Sequence, residues 1–269
     1  MIGEPETRNY KPLIGIAAAV VVVAAAVAYY LHSRHAPPAT PPPAPPATAQ
    51  QSEEPAIQHP LPSGSAANNA PLPALNESDA SLKDALDPIL GGSAVKDYLI
   101  PENIVRRLVV TIDNLPRQKV AVQKRPVNPV SGAFDVEGDE QHATLDARNF
   151  SRYRPLVGVI ANVDVHQLVA VYQHYYPLFQ QAYQDLGYPN GYFNDRLVQT
   201  IDSLLATPHP QGAIDLVRPN VMYVFADPGL EALPAGQKLL LRMGPENAAV
   251  IKAKLTELRA AVTALQPKK

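Results

Sequence analysis

The densest set of chemically capable side chains lies in nine consecutive residues, Tyr188-Pro189-Asn190-Gly191-Tyr192-Phe193-Asn194-Asp195-Arg196. Two phenols, an amide and an adjacent Asp/Arg pair can hydrogen-bond and stack on a glycan or a peptide, and Tyr and Arg are common anchors at binding surfaces. Arg152 and Tyr153 are expected to join them in flooring a cleft. The candidate ligand or partner surface is therefore Arg152, Tyr153, Tyr188, Tyr192, Asn194, Asp195 and Arg196. The same residues also suit a tightly packed helix entry, with Asn190 as the cap and with Asp195 and Arg196 satisfying backbone groups. The packed reading is favoured, because Phe193 lies beside Tyr192 and the helix that follows has a strong inward stripe. A second cluster, Asp227, Glu231, Lys238 and Arg242, sets carboxylates near cations, as a general acid/base site does. A structural ion-pair network on neighbouring helices accounts for it equally and is preferred.

Other chemistries find little support. The chain has no Cys, so thiol nucleophiles, Cys-ligated zinc and iron–sulfur clusters are excluded. No phosphate-cradling glycine loop and no G-x-S-x-G elbow occurs. His166 and His174 share a helix but stand two turns apart, roughly 12 Å, too far to chelate one metal. Asp135, Glu137, Asp139 and Glu140 around Gly138 hint at a calcium loop but lack EF-hand spacing, and a solvated hairpin tip is preferred. No cofactor is expected. With 23 Lys+Arg against 25 Asp+Glu there is no basic stripe for nucleic acid.

The elements that must position these groups are mostly helices. Ser78 or Asp79 can cap a helix running towards Gly91-Gly92, and Pro101 opens a second with Ile104, Leu108, Ile112 and Leu115 in register. A helix over 147–162 restarts after Asp164, a suitable N-cap. The next, 165–186, carries no charge from Val165 to Gln184 and reads as the middle of a bundle. A further helix carries Phe193, Leu197, Ile201 and Leu204 inward. Pro228, Pro234 and Pro245 each open a helix, the last with the stripe Ile251, Leu255, Leu258, Val262 and Leu265. Residues 134–146 read as a small hairpin turning at Gly138-Asp139, and 213–226 as either a strand or a short buried helix. The expected fold class is mostly α with at most a minor β-hairpin, in a helical domain over 74–265.

Two segments precede that domain. Residues 13–31 are 19 apolar or small residues without a charge, roughly 28 Å as a helix and close to the ~30 Å hydrocarbon core. A single transmembrane helix is expected there. A cleaved signal peptide is the competitor, but the apolar run continues past the small-x-small site at Ala26-Val27-Ala28. Arg8 and Lys11 precede the segment and only Arg34 follows before Lys83, which puts residues 1–12 in the cytoplasm and the bulk in the periplasm. The chain is then a single-pass protein of the inner membrane. Residues 32–73 are Pro- and Ala-rich; 36–73 hold 12 of the 29 prolines and no charges besides Glu53 and Glu54, so this stretch reads as a disordered spacer.

The blocks LPALNESD (72–79), VVTIDNLPR (109–117), DARNFSRYRPLV (146–157), YYPLFQQAYQDLGYPNGYFNDRLVQTIDSLLATP (175–208) and VMYVFADPGLEALPAGQKLLLRMGPENAAVIKAKL (221–255) resemble the bacterial family known as domain of unknown function 3014. The resemblance implies an envelope protein with an N-terminal anchor and implies no activity or functional residue. The expected function is a non-catalytic interaction or scaffold domain on a Pro-rich tether, with an envelope protein or the cell wall as partner. The alternatives are a cell-wall or envelope enzyme and a glycan- or peptide-binding module centred on residues 188–196.

Overall fold

A computed structural model describes residues 56–61, 71–139 and 142–265. A 3-10 turn, Leu75–Glu77, leads into helices α1 (Asp79–Leu90), α2 (Gly92–Tyr98) and α3 (Ile104–Asn114). Strands β1 (Val136–Glu137) and β2 (Ala143–Leu145) precede α4 (Arg148–Ala161), α5 (Val165–Asp185) and α6 (Phe193–Leu205). Strands β3 (Asp215–Val217) and β4 (Val224–Phe225) are followed by α7 (Pro228–Glu231), α8 (Ala235–Met243) and α9 (Pro245–Thr263).

The helices begin and end for local reasons. Asp164 caps α5 by accepting the N–H groups of His166 at 2.8 Å and Gln167 at 3.2 Å, and those bonds hold its carboxyl below the usual range. Pro228 and Pro245 sit in the first turns of α7 and α9, where a missing N–H costs nothing. Ser78 precedes α1 but its hydroxyl donates to the Leu75 carbonyl, and the Asp79 side chain leaves its own helix altogether. It accepts the N–H groups of Asn103 at 2.6 Å and Ile104 at 2.8 Å, which closes the start of α3.

The β content departs from expectation. Instead of at most a minor hairpin, the domain holds a four-stranded antiparallel sheet in the order β1-β2-β3-β4. The hairpin at Gly138 is real, with φ +94° at the glycine, and pairs Val136 with Leu145. It continues through Ala143 opposite Leu216 and ends with Leu216 opposite Phe225, which also resolves 213–226 as strands. Strands of two or three residues are too short to show an alternating pattern, and β2–β3 pairing is non-local.

Burial falls into three clusters. α1, α3 and α5 bury Leu82, Ile104, Val109, Phe179 and Tyr183 together with Phe193 from the start of α6. Beneath the sheet lie Ala143, Leu145, Leu216, Phe225 and Leu241. Val165, Val169, Val198 and Val262 tie α5, α6 and α9. Among the described residues no single helix is long and apolar enough to cross a membrane. The pair α4 and α5 passes on length and composition with a 78° bend, but α5 supplies buried residues to two of these clusters and α4 packs Phe150 against the sheet cluster. The expected transmembrane helix at 13–31 lies outside the described residues. Residues 56–61, inside the stretch 32–73 expected to be a disordered spacer, instead belong to the same compact unit as the helices and lie against α6.

Candidate functional site

The entry to α6 is built around Phe193, which is fully buried and stacks on Phe179 at 5.7 Å. Gln180 of α5 fixes the preceding turn from both sides: its Nε2 donates to the Gly191 carbonyl at 2.7 Å, and its Oε1 accepts the Phe193 N–H at 2.9 Å. Gly191 is required there, since a Cβ would come within 2.8 Å of the Tyr183 ring. Tyr183 stacks on Tyr188 at 4.6 Å, and Tyr192 packs on Tyr176 at 5.7 Å. The N-cap is Tyr192, not Asn190, and no side chain bonds across it.

Asp113 of α3 locks this turn to the rest of the domain. Its carboxylate, about 5% exposed, accepts Arg196 Nε at 3.0 Å and Arg117 at 2.9 Å, and the Tyr188 hydroxyl donates to it at 3.4 Å. The same Arg196 side chain also reaches the Asp113 carbonyl and Gln199. Asp113 beside it holds the Arg117 guanidinium above its ordinary pKa. Tyr188 and Arg196 are thus consumed in a structural network. Asp113 escapes a search for site motifs, but it stands in register with Val105 and Val109 on the buried face of α3, and a carboxylate on that stripe demands a partner.

The remaining three side chains end on the peptide backbone of residues 58–61. Asp195 accepts two consecutive N–H groups, Gln58 at 2.9 Å and His59 at 2.7 Å. Asn194 donates to the His59 carbonyl at 2.9 Å, and the Tyr192 hydroxyl accepts the Leu61 N–H at 2.7 Å. Asn194 is fully buried and its amide is oriented from behind, because its Oδ1 accepts the Tyr172 hydroxyl at 3.0 Å. Burial pushes the Tyr172 and Tyr176 phenols up, so both stay protonated and available as donors. A polar pocket of about 420 Å³ adjoins residues 56–61 at Ala56 and Gln58 and reaches down to Asp113 and Arg117.

Arg152 and Tyr153 make their contacts elsewhere. Arg152 donates to the Gly132 carbonyl at 2.9 Å and to Asn149 Oδ1 at 2.8 Å, and its guanidinium stands 5.9 Å from the Tyr153 ring. The second cluster resolves into separate structural pairs. Asp227 caps α7 through the Gly229 N–H, Glu231 pairs with Lys238 at 2.8 Å, and Arg242 stacks over Phe225 at 5.0 Å. Burial would raise the Glu231 carboxyl, but the Lys238 hydrogen bond and the Phe225 N–H outweigh it and hold the group below its usual range. A second pocket, about 450 Å³ and largely apolar, lies between Phe150, Ile214, Leu240 and Ala248. Its Lys252 is engaged with the Thr207 carbonyl at 2.6 Å. Among the described residues no group of three or more His, Asp or Glu stands close enough to hold a metal ion.

No curated protein and no solved structure matches the chain. One family does, over residues 104–259, a span that runs from α3 into α9 and includes Tyr192, Asn194 and Asp195. The chain belongs to the family described as protein of unknown function DUF3014.

Proposed function

We propose that the protein is a non-catalytic interaction domain of the bacterial cell envelope, held at the inner membrane through residues 13–31, with residues 36–269 on the periplasmic side. The observation that supports an interaction role most directly is the shelf of Tyr192, Asn194 and Asp195. It offers an acceptor pair, a donor and a further acceptor to a peptide backbone rather than to one another as an acid and a base. Asp113 beneath it is spent on Arg196 and Arg117, and in the second cluster Glu231 is spent on Lys238 and Asp227 on the Gly229 N–H. The placement at the membrane rests on the uninterrupted apolar run 13–31 and on Arg8 and Lys11 preceding it.

Two measurements test this reading. A reporter that works only in an oxidising compartment, fused after Lys269, should be active; activity of a cytoplasm-only reporter at that site reverses the orientation. Photo-cross-linking from exposed positions such as Val221 and Met222 in intact cells should yield a discrete adduct with an envelope component. A chain that cross-links to nothing from any face is not an interaction domain.

A further inference from the structure

The strap, residues 56–61, is held in an unusual way for a piece of a fold. Its hydrogen bonds to the shelf run through its main chain: the N–H groups of Gln58, His59 and Leu61 and the carbonyl of His59. Its side chains contribute little. Ala56, Ile57 and Gln58 are exposed, Ile57 by 53%, and His59, Pro60 and Leu61 are half-buried. His59 is in fact a poor fit, because its Nδ1 is buried without a hydrogen-bond partner among the described residues. Gln58 and His59 form a bend just before Pro60, which turns their two consecutive N–H groups to the same carboxylate. Nine residues, PSGSAANNA, join the strap to the domain.

We infer that the shelf of Tyr192, Asn194 and Asp195 is a clip for bent peptide backbone, that the chain's own residues 57–61 are its resident ligand in cis, and that a partner segment of the form x-x-Pro-apolar exchanges with them. The inference deepens the interaction reading and rests on it. The receptor side is built in advance, whereas the ligand side is read by backbone alone. Asn194 is buried and aimed by Tyr172, and Tyr192 is braced on Tyr176. Asp195 stands in the first turn of α6, where a carboxylate is electrostatically favoured whether or not a peptide is bound. Any non-proline residue supplies an N–H, so the geometry requires free N–H groups on the first two residues of the segment and on the fourth, and tolerates proline only at the third. A short tether holds the cis strap at an effective concentration on the order of 1 mM, so the site is self-capped until a competitor exceeds that or the strap is removed.

The test uses the full chain and a fluorescent peptide spanning residues 54–62, EPAIQHPLP, read by anisotropy. His59→Pro in the full chain deletes one N–H that Asp195 accepts and releases the strap. That variant should bind the peptide saturably, and the wild-type chain at least tenfold more weakly. Adding Tyr192→Phe, which keeps the ring on Tyr176 and removes only the hydroxyl, should weaken binding several-fold. A peptide with Pro in place of His59 should not bind. One with Leu there should bind roughly tenfold more tightly, because it leaves no polar nitrogen buried. Hydrogen exchange on the wild-type chain should show Gln58, His59 and Leu61 protected less than the α5 amides. The inference is overturned if the released variant binds no peptide while the wild-type strap stays as protected as α5, which makes the strap a fixed arm. It is also overturned if the peptide binds both chains alike and Tyr192→Phe changes nothing, which puts binding elsewhere. In either case a cross-linked partner captured from other faces leaves the interaction reading intact, so the two failures are separable.

Discussion

Asp79 and Asp195 use the same device in two places with different consequences. Each stands in the first turn of a helix, and each turns its carboxylate away from that helix to accept two consecutive N–H groups from a distant segment. Asp79 takes those of Asn103 and Ile104; Asp195 takes those of Gln58 and His59. Behind the first pair the chain enters the core: Ile104 and Val105 are fully buried in the cluster with Phe179 and Phe193. Behind the second pair Ile57 is exposed and only half-buried residues follow. Polar geometry therefore does not distinguish a fold contact from a binding contact. Apolar burial behind the hydrogen bonds does, since each buried aliphatic side chain contributes about 1.5–3 kcal/mol while a net hydrogen bond contributes about 1.

The largest effects should come from what lies under the clip. Phe193→Ala removes a fully buried ring stacked on Phe179 and should cost about 3–5 kcal/mol in denaturant unfolding. Asp113→Ala leaves Arg196, about 15% exposed, without its buried partner and should cost about 3 kcal/mol. The half-exposed Arg117 can turn to water and keeps the figure at the lower end. If either variant unfolds no more easily than wild type, the clip is not mounted on the core, and the contrast with Asp79 has no basis.

Asp79→Ala should cost about 2 kcal/mol, because it takes the acceptor from two amides at the start of α3, and the relief of Asn103 from its left-handed conformation, φ +54°, offsets only part of that. Melting followed by circular dichroism is sufficient to see it.

Asp195 reads in the sequence as satisfying backbone groups, but the distant partner of neither carboxylate is legible there, and the reason is general. A side chain that bonds backbone leaves a signature on one partner only, because an N–H is carried by every residue except proline. The long helices were legible: α5 lacks charge from Val165 to Gln184, and Asp164 stands where a cap belongs. Most of the candidate turn was also found, Tyr192, Asn194 and Asp195 among it. Its ligand was not, because residues 56–61 sit in a stretch whose composition argues for a spacer. Arg152 and Tyr153 were grouped with the turn by residue type, and distance along a fold cannot be read from type. The sheet escaped because its strands are two or three residues long.

A third carboxylate tests the comparison by pH. Glu231 accepts the Phe225 N–H at 3.0 Å and pairs with Lys238, and its folded pKa lies below the unfolded value. Its contribution is therefore complete above about pH 4.5 and is lost as the pH falls through the folded pKa. Phe225 amide exchange, corrected for its intrinsic pH dependence, should accelerate below that point in wild type and be pH-independent and fast in Glu231→Ala, which removes the acceptor. The effect is expected to be small, since Phe225 also has the sheet core to hold it. An unchanged Phe225 amide in acid would show that apolar burial alone retains an edge strand.

The smallest expected change is the most informative one. Asp195→Ala deletes a carboxylate with the same two-N–H geometry as Asp79, yet global stability should move by less than about 0.5 kcal/mol, with an unchanged m-value. The residues it holds are exposed or half-buried, so their release exposes little new surface to the denaturant. Losing an anion from the first turn of α6 costs a few tenths of a kcal/mol, and releasing the strap returns conformational entropy that offsets part of it. Urea unfolding of Asp79→Ala and Asp195→Ala in parallel decides the matter. A loss near 2 kcal/mol for both would make residues 56–61 an integral part of the domain, held as firmly as the start of α3. A loss confined to Asp79→Ala means that burial separates the two carboxylates: one closes the fold, and the other holds a segment that the fold can release.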